Sequence, residues 1–369
     1  MVDTVLLERA REAVCHFRTE GTTGEVRSWG SGHINDTFLV EGDTRYILQR
    51  MNRSIFTKPV EVMENITGVT SFLKEKIRNA GGDERRETLT VIFSEDGKSL
   101  YEDNDGDNWR MYYMIEDAMC YDQVESEQDF YESAKAFGNF GHLLSDYPAK
   151  TLHETIPGFH DTRARYDVFA RAVEADVCGR AENVRQEISF FREREDITGV
   201  LKQMQAEGKL PLRVTHNDTK LNNIMMDKST GKGICVIDLD TVMPGLAVHD
   251  FGDSIRFGAS TGAEDEPDLS KVSLDLHLFE LYVRGFLEGC QGSLTKEEIA
   301  MLPMGAKVMT YECGMRFLTD YLQGDTYFKI HRAGQNLDRC RTQMKLVADM
   351  EAKWARMEQI VSRAANSKK

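Results

Sequence analysis

The segment that most restricts the fold of this chain reads His216-Asn217-Asp218-Thr219-Lys220-Leu221-Asn222-Asn223-Ile224-Met225-Met226-Asp227. After Gly231 and Gly233 it continues as Ile234-Cys235-Val236-Ile237-Asp238-Leu239-Asp240. The apolar pieces 224–226 and 234–237 predict two strands joined across a turn at 227–233. Such a hairpin places Asp218 and Asn223 on a loop ahead of the first strand and Asp238 at the end of the second, so three oxygen-bearing side chains share one edge. Phosphoryl transfer needs that set. One carboxylate orients the acceptor hydroxyl and takes its proton, while an Asn and a second Asp hold Mg2+ against nucleotide phosphates. His216 is read as a brace for the loop.

The composition narrows the classes of partner. The chain has 369 residues, with 46 Lys+Arg against 61 Asp+Glu and a formal charge of −15, which disfavours a general nucleic-acid surface. The length allows two lobes with a sizeable core. Apolar runs are a few residues long, far short of the roughly 20 that cross a bilayer, and Asp3, Glu8 and Glu12 break any signal-like pattern at the start. The 7 cysteines are scattered and never spaced as CxxC, which argues against a disulfide framework or a zinc site. The expectation is a soluble cytoplasmic protein acting on a small molecule, without nucleic-acid or membrane partners. Oligomeric state is not readable.

Along the chain, 6–17 predicts a helix, 37–40 and 46–51 a strand hairpin entered from Gly30-Ser31-Gly32, and 58–79 a long helix. Strands are expected at 89–93, 99–101 and 109–115, with Asp103, Asp105 and Asp107 in a polar hairpin turn. Residues 1–115 thus form an N-terminal nucleotide-binding lobe around a sheet of about five strands. Residues 116–369 form a larger, mostly helical lobe with the catalytic loop and the acceptor site. Helical patterns cover 161–176, 181–207 and 269–288. Thr295 to Glu298 has capping-box spacing, and apolar positions from Leu337 to Val361 stripe one long final helix. The fold class is α+β.

The pattern H-x-D-x-x-x-x-N followed by an apolar strand ending in Asp resembles the protein-kinase-like fold. Its detailed form, with Asp250-Phe251-Gly252-Asp253 downstream, resembles the aminoglycoside phosphotransferase and choline kinase superfamily. That resemblance implies a bilobal molecule using ATP and Mg2+, with Asp218 catalytic and Asn223 and Asp238 as metal ligands. It places the nucleotide between the lobes. Gly32, in the loop Gly30-Ser31-Gly32-His33-Ile34-Asn35, would cover phosphates, and Arg50 would stand where kinases carry a phosphate-binding Lys. Gln49 lies one register step away, and Glu64 is a candidate partner for that cation. Met114 to Asp117, including Glu116, would be the adenine hinge. Asp250 is not the metal ligand, because it follows a loop with Pro244 and Gly245; it would cap the next helix or hydrogen-bond the catalytic loop backbone. Asp240 would add to the metal site or touch substrate.

A nearer resemblance, carried by Tyr46 to Arg50, Val236 to Gly245 and Cys313 to Tyr321, is to N-acetylhexosamine 1-kinases. It implies ATP-dependent phosphorylation of the anomeric hydroxyl of N-acetylglucosamine or N-acetylgalactosamine. Thr241, Arg316, Tyr327 and His33 carry over as substrate-binding positions, and Asp320 as a further one. Arg316 could instead pair with Glu312 or Asp320, and Tyr327 could be a packing aromatic. Other acceptors of the same fold are homoserine, choline, methylthioribose and aminoglycosides, and a non-catalytic nucleotide-binding regulator is the alternative outside enzymes. A protein kinase lacks support, since no A-P-E arrangement follows Asp238. P-loop, nucleophile-elbow and H-E-x-x-H motifs do not occur.

Overall fold

The structure is a computed structural model that describes residues 4–30, 34–121 and 126–367. In chain order its first elements are α1 (Thr4–Val14), β1 (Thr23–Ser28), β2 (Asp36–Gly42), β3 (Tyr46–Arg50), α2 (Pro59–Asn79), β4 (Val91–Ile92), β5 (Tyr101–Glu102), β6 (Asn108–Tyr113) and β7 (Ala118–Met119). Then follow α3 (Glu127–Leu143), α4 (Thr162–Ala175), α5 (Arg185–Arg192), α6 (Ile197–Ala206), β8 (Arg213–Thr215), β9 (Ile224–Asp227), β10 (Gly233–Val236) and β11 (Met243–Gly245). The last are α7 (Ala247–Gly258), α8 (Leu276–Cys290), α9 (Lys296–Ala300), α10 (Leu302–Leu322), α11 (Gln335–Ala352) and α12 (Trp354–Asn366).

The chain divides into two compact units. One runs to Cys120 and includes 146–157 and 224–243; the other holds 121–145, 158–223 and 244 onward. The first is built on an antiparallel sheet in the order β1-β2-β3-β6-β4, with β5 also on β6. Phe38 faces Leu48, and Leu48 faces Met111, so period-2 alternation lines one face with apolar residues. Ala10, Ala13 and Val14 of α1 pack on that face with Trp109 and Tyr46. β9 and β10 pair antiparallel, and β9 also takes β7. The hairpin expected over 224–237 is therefore present.

The second unit is helical. α10 packs against α4, α7 and α11, and α3 against α8. Where α7 meets α10, a Cβ on Gly252 would lie 2.3 Å from the Gly305 carbonyl oxygen, and one on Gly305 2.2 Å from that of Val248. Only glycine permits so close an approach of two helix backbones, and this approach sets α7, which carries Asp250 and Asp253, against the helix that carries Glu312 and Arg316. The capping box at Thr295 forms as expected.

Several element expectations need correction. β1 was not foreseen: of its residues only Val26 is buried, so no alternation marks it. The strand expected at 89–93 shortens to β4, and that at 99–101 becomes β5. The helix expected over 269–288 starts at Leu276, because the Asp275 carboxylate accepts from the N–H of His277 and of Leu278 and caps it there. The pattern over 181–207 resolves into a 3-10 turn, α5 and α6. The long final helix breaks at Lys353, whose Nζ is held by the Leu274 carbonyl at 2.8 Å. Asp250-Phe251-Gly252 follows a short strand, β11, and lies within α7.

Candidate active site

Residues 216–223 form a loop between β8 and β9, with Asn217 in the left-handed region at φ 65°. A loop that leaves regular structure must find other partners for its backbone groups, and here α7 supplies them. The Asp250 carboxylate accepts from the N–H of His216 and of Asn217, each at 2.8 Å. The Asp253 carboxylate accepts from the Thr219 N–H at 3.1 Å, and Ser254 Oγ donates to the Thr219 carbonyl at 2.7 Å. Of the two roles expected for Asp250, loop bracing is the one found. Burial raises the Asp250 carboxyl above its ordinary range, a tendency these two N–H groups oppose. His216 is buried between Phe137 and Phe140, and its Nδ1 accepts from the Asp218 N–H at 3.3 Å.

This frame carries Asp218 half-buried beside Asn223. Asn223 Nδ2 donates to the Asp218 carbonyl at 2.8 Å and lies 3.4 Å from its Oδ2, while Lys220 Nζ sits 2.8 Å from Oδ1. Burial opposes the charge on Lys220, but Asp218 and then Asp253 outweigh it and hold the ammonium above its usual range. On the other side of the loop, His160 Nε2 faces the Asn217 carbonyl at 3.4 Å and its Nδ1 faces Glu312 at 3.0 Å. Glu312 also accepts from Thr162 Oγ1 at 2.6 Å. Burial pushes the Glu312 carboxyl up, but His160 prevails and holds it at about 2.

In the other unit, Asp238 follows β10 with φ 57° and an exposed side chain. A non-glycine residue in that region costs on the order of 1 kcal/mol or more and persists only where neighbours hold it. The hold begins two residues on. The Asp240 carboxylate takes both Nη atoms of Arg110 from β6, with Nη2 at 2.9 Å, and Asn35 Nδ2 at 2.8 Å. Arg110 Nε donates to Gln49 Oε1 at 3.0 Å. Both charged groups are buried, with side chains 2% and 4% exposed. Burial disfavours the Arg110 charge, yet Asp240 raises its pKa further still. From α2, Asn65 Nδ2 donates to the Val242 carbonyl at 3.0 Å.

The other expected positions fall as follows. Arg50 is gripped by Asp36 at 2.6 Å and Asp107 at 3.1 Å, and Glu64 pairs with His153 and not with that cation. The Met114 N–H donates to the Arg45 carbonyl, and Glu116 pairs with Arg45 while its carbonyl accepts from Arg86. Thr241 closes the 3-10 turn that follows Asp238. Gly32 and His33 lie outside the described residues. Arg316 and Tyr327 share the unit of Asp218 and approach one another at 3.5 Å. Neither carboxylate offered as an alternative partner takes Arg316: Glu312 is engaged as above, and Asp320 accepts from the N–H groups of 326, 327 and 328. Among the described residues no group of three or more His, Cys, Asp or Glu side chains could hold a metal by itself.

Sequence reasoning missed Arg110, Lys220, His160 and Thr162, and it named Asn35 and Asp253 only as members of the 30–35 loop and the 250–253 run, without their bonds to Asp240 and Thr219. Lys220 had a local signal, lying two residues from Asp218; Arg110, His160 and Thr162 reach the site through long-range pairing.

The comparisons follow from this geometry. A model of the phosphotransferase enzyme family matches residues 25–275. Among solved structures, a microcompartment-associated aminopropanol kinase is similar at TM-score 0.59 and 16% identity, covering 95% of this chain and 98% of its own. An aminoglycoside phosphotransferase from Alicyclobacillus acidocaldarius aligns at TM-score 0.63 and 10% identity over 96% of both chains. An amicoumacin kinase in complex with AMP-PNP and Ca2+ aligns at TM-score 0.53 and 13% identity, over 98% of this chain and 94% of its own. At such identities the likeness is one of fold, and it matches the expected α+β class.

Proposed function

The chain belongs to the phosphotransferase enzyme family, and on that premise we propose that it is an ATP-dependent kinase converting N-acetylhexosamines to their 1-phosphates through the anomeric C1 hydroxyl. The observation that carries the catalytic half is the Asp218 loop. A half-buried carboxylate is held by Lys220 on one oxygen and lies near Asn223 on the other, in a frame whose backbone groups are satisfied by Asp250 and Asp253. The acceptor half rests on the resemblance of the 236–245 and 313–321 runs to N-acetylhexosamine 1-kinases, supported by Arg316 among aromatic rings.

In this reading Asp218 accepts the C1 hydroxyl proton as the oxygen attacks the terminal phosphoryl group of ATP in line. Lys220 holds the carboxylate in one rotamer, so little orientational freedom is lost at the moment of reaction. Asn223 and Asp238 are the proposed Mg2+ ligands. The donor chemistry fits, since Mg2+ is commonly held by one or two carboxylates together with substrate phosphates and not by an all-protein cage; Asn223 commits its amide nitrogen to the loop, which leaves its oxygen for a hard cation. Bound there, the ion would neutralise charge on the nucleotide phosphates. Arg50 is the proposed phosphate contact from β3. Gln49, turned to Arg110, belongs to the anchor of Asp240, and Asp240 is a positioning residue and not a ligand. Thr241 and Tyr327, with His33, are assigned to the sugar.

The test is an ADP-release assay with Mg·ATP against N-acetylglucosamine, N-acetylgalactosamine, their 1-O-methyl glycosides, homoserine, choline and kanamycin. Turnover with the free sugars and none with the 1-O-methyl forms is expected. Turnover confined to another acceptor would keep the kinase and overturn the sugar.

A further inference from the structure

Two arginines stand together beside the catalytic loop, and among the described residues neither has a carboxylate within ion-pair distance. Arg316, on α10, has its guanidinium 5.9 Å from the Phe159 ring, 5.7 Å from Tyr327 and 5.4 Å from Phe328. Arg165, in the first turn of α4, donates from Nη2 to the Phe159 carbonyl at 3.2 Å. Phe159 thus touches both, and its neighbour His160 reaches the carbonyl next to Asp218. Among the described residues neither arginine makes an ion pair, and Arg165 Nε is buried with no hydrogen-bond partner. Burial lowers the Arg165 pKa and the charge of Arg316 lowers it further, against a smaller opposing pull from Glu312, Tyr327 and Asp161.

The nearby carboxylates Glu312 and Asp161 offset this repulsion only in part, because their hydrogen bonds go elsewhere. Glu312 is held by His160 and Thr162. Asp161 caps α4 through the Ala164 N–H and pairs with Lys202 at 2.6 Å. Asp320 accepts from the backbone at 326–328 and from Asn336. In a chain of formal charge −15, two neighbouring guanidiniums that hydrogen-bond only a carbonyl and a phenol form a local positive site that invites an anion. A planar guanidinium binds a carboxylate, sulfate or phosphate oxyanion in two-pronged fashion, and a buried donor left unpaired is costly until such a group arrives. Tyr327, 68% exposed, leaves the aromatic wall open to solvent.

We propose that Arg165 and Arg316 form an oxyanion subsite beside the acceptor pocket, so that acceptors bearing an anionic substituent are preferred over neutral ones and cationic ones are disfavoured. The placement beside the acceptor rests on the assignment of Arg316 and Tyr327 to the sugar; the oxyanion chemistry does not.

Calorimetric titration of wild type, Arg165→Gln and Arg165→Lys tests it, with N-acetylglucosamine, its 3-, 4- and 6-O-sulfates, glucosamine and inorganic sulfate as probes. At least one sulfated sugar should bind wild type about tenfold more tightly than the parent sugar, as a charge-assisted pair provides. That ratio should fall to within about twofold in Arg165→Gln and be partly kept in Arg165→Lys, with thermal melts confirming that the variants fold. Competition by inorganic sulfate separates a sugar-borne anion from a free one. If no sulfate outbinds the parent sugar and inorganic sulfate binds wild type and Arg165→Gln alike, the subsite is overturned while the sugar kinase stands. If inorganic sulfate binds in an Arg165-dependent way but no sugar binds, the oxyanion chemistry stands and the acceptor assignment fails.

Discussion

Two loops of this protein present a carboxylate to solvent, and they are anchored by opposite charges. The Asp218 loop is held from α7 by buried carboxylates, Asp250 and Asp253, that accept from its backbone N–H groups. The Asp238 turn is held from β6 by a buried cation, Arg110, that grips Asp240. In each case a residue in the left-handed region adjoins the carboxylate proposed to act or is that carboxylate: Asn217 in the first loop and Asp238 in the second. The strain is local, and its restraint comes from a different, buried side chain. A carboxylate anchor bonds backbone and so dictates loop shape; an arginine anchor bonds one side chain and so ties a turn to a sheet.

The comparison breaks first at the two proposed functional carboxylates. Asp218→Asn should lower kcat by about 10²–10⁴-fold, the range for a general base, with ATP binding retained, whereas Asp238→Asn should weaken Mg·ATP binding itself. Steady-state kinetics with nucleotide titration distinguishes them, and equal effects on both parameters would show that the two carboxylates do not divide the work.

The anchors come next. Arg110→Met leaves the Asp240 charge buried with its counter-ion gone and Asn35 still donating to it, a loss of about 3–5 kcal/mol in unfolding free energy, and adding Asp240→Leu should restore most of it. If the double variant is no better than the single, the pair is not the anchor. Asp250→Asn replaces one of two acceptors with a donor facing a backbone N–H, for a smaller loss of about 1–3 kcal/mol. Chemical denaturation measures both.

Acid provides the mildest test, in the unit of the Asp218 loop. Burial and then His160, whose ring lies 5.2 Å away, depress His249 from 6.5 to about 3, so the unfolded chain takes up a proton that the folded one refuses. Stability from this group is complete above pH 6.5 and is lost as pH falls toward 3. Glu312, held at about 2 against an ordinary 4.5, adds its own loss from 4.5 downward. Unfolding free energy should drop by about 1.4 kcal/mol per pH unit at most per group, and His249→Gln should flatten the upper part of that fall. A flat profile between pH 7 and 5 would remove His249 from the account.

The loop and hairpin were readable because everything they need is local. Asp218, Asn223 and the two strands are set by spacing over some two dozen residues, and spacing is what a sequence displays. Of the anchors, the bracing role of Asp250 was one of two expected from its motif, whereas Arg110 was not readable. Arg110 is 130 residues from Asp240, and nothing in Asn-Trp-Arg-Met-Tyr-Tyr marks its arginine as buried; period-2 alternation even allows it to face solvent. Arg50 carried the more suggestive position, at the end of β3, and is held by Asp36 and Asp107. β1 escaped notice because an edge strand with one buried residue needs no apolar alternation.

The sequence by itself determined the α+β class, the order of sheet and helices, and the residues carried on the catalytic hairpin, since these follow from periodicity and short-range spacing. Only the tertiary structure decided which charges are neutralised and which are left over. Asp240 meets Arg110, Glu312 meets His160, and among the described residues Arg165 and Arg316 form no ion pair, because ion pairing depends on three-dimensional proximity that distant segments acquire only when their apolar faces pack.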